Sequence, residues 1–116
     1  MPRNMSFAMT TPQVRARTKT VTRRPGWLFA RAGAVVMAVE KGQGLKKGEK
    51  VKRLGLIKIV SVRREYLGCI AKEGPAGLEK EGFPGMKSWE FMAMFCDHNG
   101  GGAGQIITRI EFEYLD

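Results

Sequence analysis

The residues most able to do chemistry lie in one run, Arg17-Thr18-Lys19-Thr20-Val21-Thr22-Arg23-Arg24. It interleaves cations that pair with phosphate and hydroxyls that hydrogen-bond to it. On a strand, side chains alternate between faces. Arg17, Lys19, Val21 and Arg23 then lie on one side, and Thr18, Thr20, Thr22 and Arg24 on the other. Alternation alone separates Lys19 from Thr22; twist and a bulge near the start of the run would bring both to one cleft. The plain alternative is an exposed basic edge strand.

Other stretches fail as motifs. Gly42-Gln43-Gly44-Leu45-Lys46-Lys47-Gly48 is one residue too long for a dinucleotide fingerprint, whose third glycine must follow three residues after the second. The run Gly100–Gly104 lacks the Gly-Lys-Ser/Thr ending of a phosphate-binding loop and reads as a connection. Cys96-Asp97-His98 offers metal-ligand types at adjacent positions, which rarely converge on one ion, so no metal is expected. His98 is the lone histidine, which disfavours a Ser-His-Asp or Cys-His enzyme. Trp89, Phe91 and Phe95 read as core rather than as a stacking surface.

The elements that must position this chemistry belong to a small protein. The chain has 116 residues, 43% hydrophobic and 27% charged, which fits one globular domain spanning 1–116. No apolar run approaches the roughly 20 residues that cross a bilayer, and the start lacks a signal-peptide pattern. A cytoplasmic location with no membrane partner is therefore expected, with Cys69 and Cys96 as free thiols. The net charge is +9, and it is segregated. Residues 1–64 carry 16 Lys/Arg against Glu40 and Glu49, whereas residues 65–116 carry 4 Lys/Arg against 9 acids. Such a field favours a polyanion, with phosphate the obvious partner.

Along the chain, residues 4–9 read as an opening strand. Thr10-Thr11-Pro12 starts a short helix over Pro12–Arg17. Thr18–Arg23 is a β-branched strand ended by Pro25-Gly26. Val35–Glu40 is a buried strand, Lys41–Lys52 a basic loop, and Val51–Arg64 the longest strand. Leu67–Gly82 contains Gly74-Pro75-Ala76-Gly77, so a helix there should be short and late. Lys87–His98 is a helix capped by Ser88. Ile106–Leu115 closes the fold as a strand with Ile106, Thr108, Ile110, Phe112 and Tyr114 on one face. The irregular mixture, without repeated βαβ units, predicts an α+β fold with an antiparallel, barrel-like sheet.

A short helix followed by Arg17–Arg24 resembles the signature of the ASCH family, a Gly-x-Lys-Thr-x-x-x-Arg type element. Glu81-Gly82-Phe83 followed by the Trp89–Phe95 helix, and the ending Ile110-Glu111-Phe112-Glu113-Tyr114, are similar to later parts of that family. Thr18 departs from the glycine or basic residue many members carry before the lysine, and the Lys41–Lys52 loop is longer than in the smallest members. The resemblance implies a PUA-like small mixed or antiparallel β-barrel with two or three flanking helices. It implies binding of nucleic acid, RNA before DNA, or of a nucleotide, with no cofactor. Arg17, Lys19, Thr20, Arg23, Arg24, Lys46, Lys47 and Lys50 are the candidate binding residues. One branch hydrolyses the acetyl amide of acetylated cytidine, and its lysine, threonine and glutamate would fall on Lys19, Thr22 and Glu81. Whether the chain is such an amidohydrolase, a ribonuclease or no enzyme stays open, as does a protein-interaction module of viral origin.

Overall fold

The computed structural model describes residues 2–42 and 45–115. Five strands, β1 (Arg3–Ser6), β2 (Val21–Arg24), β3 (Val35–Val39), β4 (Arg53–Tyr66) and β5 (Ile106–Tyr114), form one sheet in the order β1-β3-β4-β5-β2. The helices are α1 (Thr11–Arg15), α2 (Ile70–Glu81), entered through a 3-10 turn at Leu67–Cys69, and α3 (Ser88–Asn99). The fold is α+β, a curled half-barrel with flanking helices. β1 runs parallel to β3; the other neighbours are antiparallel.

The curl comes from β4. Its first half pairs with β3 and its second with β5, and the register slips between Ile59 and Ser61. A second slip lies between Ala38 and Val39 of β3. An extra residue on one strand bends it and increases its twist. The sheet therefore rolls until its edge strands, β1 and β2, face each other. Arg24 reaches across that opening and donates to the Ser6 carbonyl.

The sheet packs on both faces. Inside the curl lie Met5, Phe7, Val14, Val36, Ala38, Ile57, Ile59, Ile110 and Phe112. On the outer face, Leu67, Ile70, Leu78, Phe91, Phe95 and Ile107 form a second core beneath α2 and α3. β5 sits between β4 and β2 and serves both, so the expected alternation fails: Ile107, Thr108, Arg109 and Ile110 are all buried, and Ile106 is exposed. Among the described residues, no helix is long and apolar enough to cross a membrane.

Four expectations change in detail. The basic run is not one strand: Arg17 takes a left-handed conformation (φ 61°), and pairing begins only at Val21. α2 starts early, at Ile70, and breaks at Gly74 (φ 65°, ψ −153°), a conformation open essentially to glycine alone. Lys87 rather than Ser88 is the N-cap of α3, because the Glu90 carboxylate accepts from the Lys87 amide at 3.0 Å. Trp89 is 66% exposed, whereas Phe91 and Phe95 are core. Gln43 and Gly44 of the glycine-spaced run lie outside the described residues.

Candidate functional site

Lys19 lies in the extended turn between α1 and β2, and its backbone is held on every side. The Thr18 amide donates to the Gln13 carbonyl at 3.0 Å, and the Thr20 amide to the Lys80 carbonyl at 2.8 Å. The Tyr114 hydroxyl donates to the Lys19 carbonyl at 2.6 Å. Gly82 (φ 98°) ends α2 against this turn; a Cβ there would stand 2.9 Å from Gln13 Cγ and 3.5 Å from Lys19 Cβ. The positive φ and the close approach both require glycine.

Those restraints aim the lysine at the end of α2. Lys19 Nζ donates to Glu81 Oε1 at 2.9 Å and to the Glu81 carbonyl at 2.6 Å. Arg23 NH1 donates to Glu81 Oε2 at 2.9 Å. All three residues are buried. Burial lowers the Lys19 pKa from its ordinary 10.5; the carboxylate of Glu81 works against the shift, and Arg24 and Arg23 add to it. A buried lysine whose charged form is disfavoured is a candidate proton acceptor in its neutral amine form.

Arg23 continues the network outward. Its guanidinium also pairs with Glu73, and Arg109 grips both oxygens of Glu73, at 2.9 Å from Nε and 3.1 Å from NH2. Arg63 donates to Glu65 and Glu73 at 2.6 and 3.2 Å. Burial pushes the Glu73 carboxyl up, but the Arg109 hydrogen bonds and the charges of Arg23, Arg109 and Arg63 outweigh it and hold the carboxyl below its usual value. Arg23 is thus committed to carboxylates on two edges.

Above this network opens a cleft of about 700 Å³ whose walls include Lys19, Thr22, Arg23, Arg24 and Glu81. Thr22 is buried, and its Oγ1 accepts from Arg24 Nε at 3.2 Å. Arg24 lies over the ring of Phe7 at 4.7 Å and that of Trp27 at 6.0 Å. Desolvation lowers its pKa to about 10, which leaves it cationic at neutral pH. Asn4, Ser6, Lys41 and His98 supply further polar groups, and Phe83, Phe91 and Phe95 an apolar flank.

The structure therefore brings Lys19, Thr22, Arg23, Arg24 and Glu81 to one cleft. The other candidates lie elsewhere. Arg17 is exposed, with its guanidinium 5.4 Å above the Tyr114 ring, and lines a separate small hollow. Thr20 spends its backbone pairing with Lys80 and Phe112 and does not line the cleft. Lys46, Lys47 and Lys50 are exposed on their loop, off the cleft wall. Sequence reasoning did not single out Phe7, Trp27, Glu73 or Arg109. Trp27 had a signal, an aromatic directly after the Pro25-Gly26 turn. Glu73 and Arg109 are 36 residues apart and had none. Among the described residues, no group of three or more His, Cys, Asp or Glu could hold a metal ion.

No family model matches the chain, and no curated protein does. Two solved structures share its fold. Protein EF3133 from Enterococcus faecalis V583, of the DUF984 family, superposes with a TM-score of 0.68 at 14% identity, over 100% of this chain and 81% of that one. Hypothetical protein PH0355 superposes with a TM-score of 0.67 at 17% identity, over 99% of this chain and 100% of that one. At such identities the likeness is one of fold alone.

Proposed function

We propose that this chain is an ASCH-type, PUA-like domain whose cleft takes up a nucleobase, presented by RNA or by a nucleotide. The observation that carries the reading is the chemical composition of the cleft. The half-buried Trp27 ring offers an apolar face for a flat heterocycle, with Arg24, itself stacked over the buried Phe7 ring, alongside. Asn4, Ser6 and Thr22 offer donors and acceptors for its edge, and Lys41, 3.9 Å from Glu49, offers an exposed cation for phosphate. Stacking combined with edge hydrogen bonds is how unpaired bases are held.

The two tryptophans make the test direct. In a Trp89→Phe variant, Trp27 alone reports on the cleft. Titration with a nucleoside monophosphate and with a short single-stranded RNA should quench it. RNA affinity should fall steeply from about 50 to about 200 mM salt. Unchanged Trp27 emission with both ligands would defeat the reading.

A second reading, an amidohydrolase acting on acetylated cytidine, is favoured by the buried Lys19–Glu81 pair lying in the same cleft as Thr22. Neutral Lys19 would take the Thr22 hydroxyl proton as Oγ1 attacks the acetyl carbonyl. The amide C–N bond would then break, with the lysine proton passing to the leaving amine and the acetyl group left on Thr22 as an ester. Water would hydrolyse the ester. Release of cytidine from acetylated cytidine, abolished by Lys19→Ala in a folded variant, is the expected result; no release by the native protein ends this reading.

A further inference from the structure

The aromatic wall of the cleft does not stop at its mouth. Beyond Trp27 the chain turns out to the surface, where Phe29 is 50% and Leu28 73% exposed. The Phe29 ring lies 4.9 Å from that of Trp27, tilted by 40°. Arg3, at the start of β1, lies 4.1 Å over the Phe29 ring. The side chains form a continuous ladder, Arg24–Trp27–Phe29–Arg3, that runs from the cleft interior to solvent.

Three features mark the ladder as more than surface filling. Trp27 holds a left-handed backbone (φ 52°), unusual for a bulky residue. Such strain persists only where the surroundings enforce it, and here Thr108 Oγ1 fixes the preceding Gly26 carbonyl. Second, Arg3 is exposed and makes no ion pair among the described residues, so its guanidinium is held only by the Phe29 ring. Third, an exposed aromatic beside an uncommitted guanidinium matches the chemistry of a nucleotide: a ring face for the base, a cation for the phosphate.

We infer that the ligand is a single-stranded nucleic-acid chain rather than a free nucleotide: while one base occupies the cleft, its neighbour stacks on Phe29 and their linking phosphate pairs with Arg3. This rests on the base-binding reading of the cleft. The flanking base takes the ring face that Arg3 covers, and the guanidinium swings onto the phosphate. Arg3 and Phe29 are positioned for this by β1 and by the strained turn, which also supply Asn4, Ser6 and Trp27 to the cleft wall.

The test uses the full chain, a labelled single-stranded RNA pentanucleotide, the same sequence as a duplex, and a nucleoside monophosphate. Phe29→Ala and Arg3→Gln should each weaken single-strand binding by about five-fold or more, the scale of one lost stack. Neither should change monophosphate affinity, and duplex should bind at least about five-fold more weakly than single strand, its bases being already stacked. Both sites are exposed, and circular dichroism confirms that each variant is folded. If the monophosphate binds the native protein but Phe29→Ala and Arg3→Gln leave the pentanucleotide unaffected, the ladder is ornamental and the cleft reading survives. If neither ligand binds, both fall together. Duplex binding as tight as single strand would also overturn the inference.

Discussion

Glu81 is held by cations on both oxygens, so the charges at this point cannot be removed symmetrically. Glu81→Gln leaves Lys19 buried without its carboxylate and Arg23 with Glu73 and Glu65 alone, and breaking a buried pair from one side costs about 3–5 kcal/mol. Lys19→Met should cost less, because Arg23 still holds Oε2 at 2.9 Å. Urea unfolding of the two variants checks the order. Equal losses would mean that Arg23 adds nothing to the pair. Glu73 makes a separate prediction in acid. Its folded value lies below the unfolded 4.5, so the native state binds fewer protons there. The associated stability is present above 4.5 and is lost as pH falls through the folded value. The gap in urea midpoint between native protein and Glu73→Gln should therefore close as pH drops below 4.5. A gap that is constant from neutral pH to pH 3 would detach Glu73 from the acid response. At this scale the sequence was partly legible. The hydroxyls and cations of residues 17–24 advertised Lys19 and Thr22. Glu81 was reached only through family resemblance, and Glu73 and Arg109 not at all, because an ion pair between distant residues leaves no local pattern.

At the scale of elements, the site depends on two backbone positions rather than on any helix propensity. The break at Gly74 redirects α2 so that its last residue, Glu81, ends over the Lys19 turn. Gly82 then closes the helix with a Schellman pair: its own amide donates to Glu79 and that of Phe83 to Leu78, both at 2.9 Å. Gly82→Ala combines an unfavourable φ with a 2.9 Å clash against Gln13. It should cost about 1–3 kcal/mol and perturb the cleft as well. Gly85→Ala, at φ 84° but with nothing within 4 Å of its Cβ, carries the φ penalty alone. Thermal melts of both separate strain from clash. If the two variants melt together, the contact with Gln13 yields freely. The elements themselves were largely readable: β3, β4, α3 and β5 fall close to where apolar period and turn residues put them. The failures share a cause. Arg17, Gly74 and Trp27 each adopt a positive φ that helix and strand propensities do not anticipate. β5 defeated the alternation rule because α2 and its glutamate cover the face that a half-buried strand would leave wet.

For the whole molecule, the segregated charge has two destinations. Some acids of the second half fold back onto arginines of the first: Glu81 and Glu73 onto Arg23, Glu65 and Glu73 onto Arg63. Among the described residues, the cations that make no ion pair include Arg24 on the cleft wall and Lys46, Lys47 and Lys50 on their loop. The net +9 visible in the sequence therefore predicted a polyanion partner without distinguishing which cations would meet it. That distinction can be measured. Lys46, Lys47 and Lys50 are exposed and stand off the cleft wall, so on the proposed base-binding reading any contact they make is with backbone beyond the base. Changing all three to alanine should leave monophosphate affinity unaltered. RNA binding should weaken most at low salt, and the slope of log K against log salt should become shallower by up to about 2, given roughly 0.7 per phosphate on a single strand. A slope equal to that of the native protein would mean that the loop contributes only to the long-range field. The phosphates would then be held by Arg3, Arg24 and Lys41 around the cleft itself.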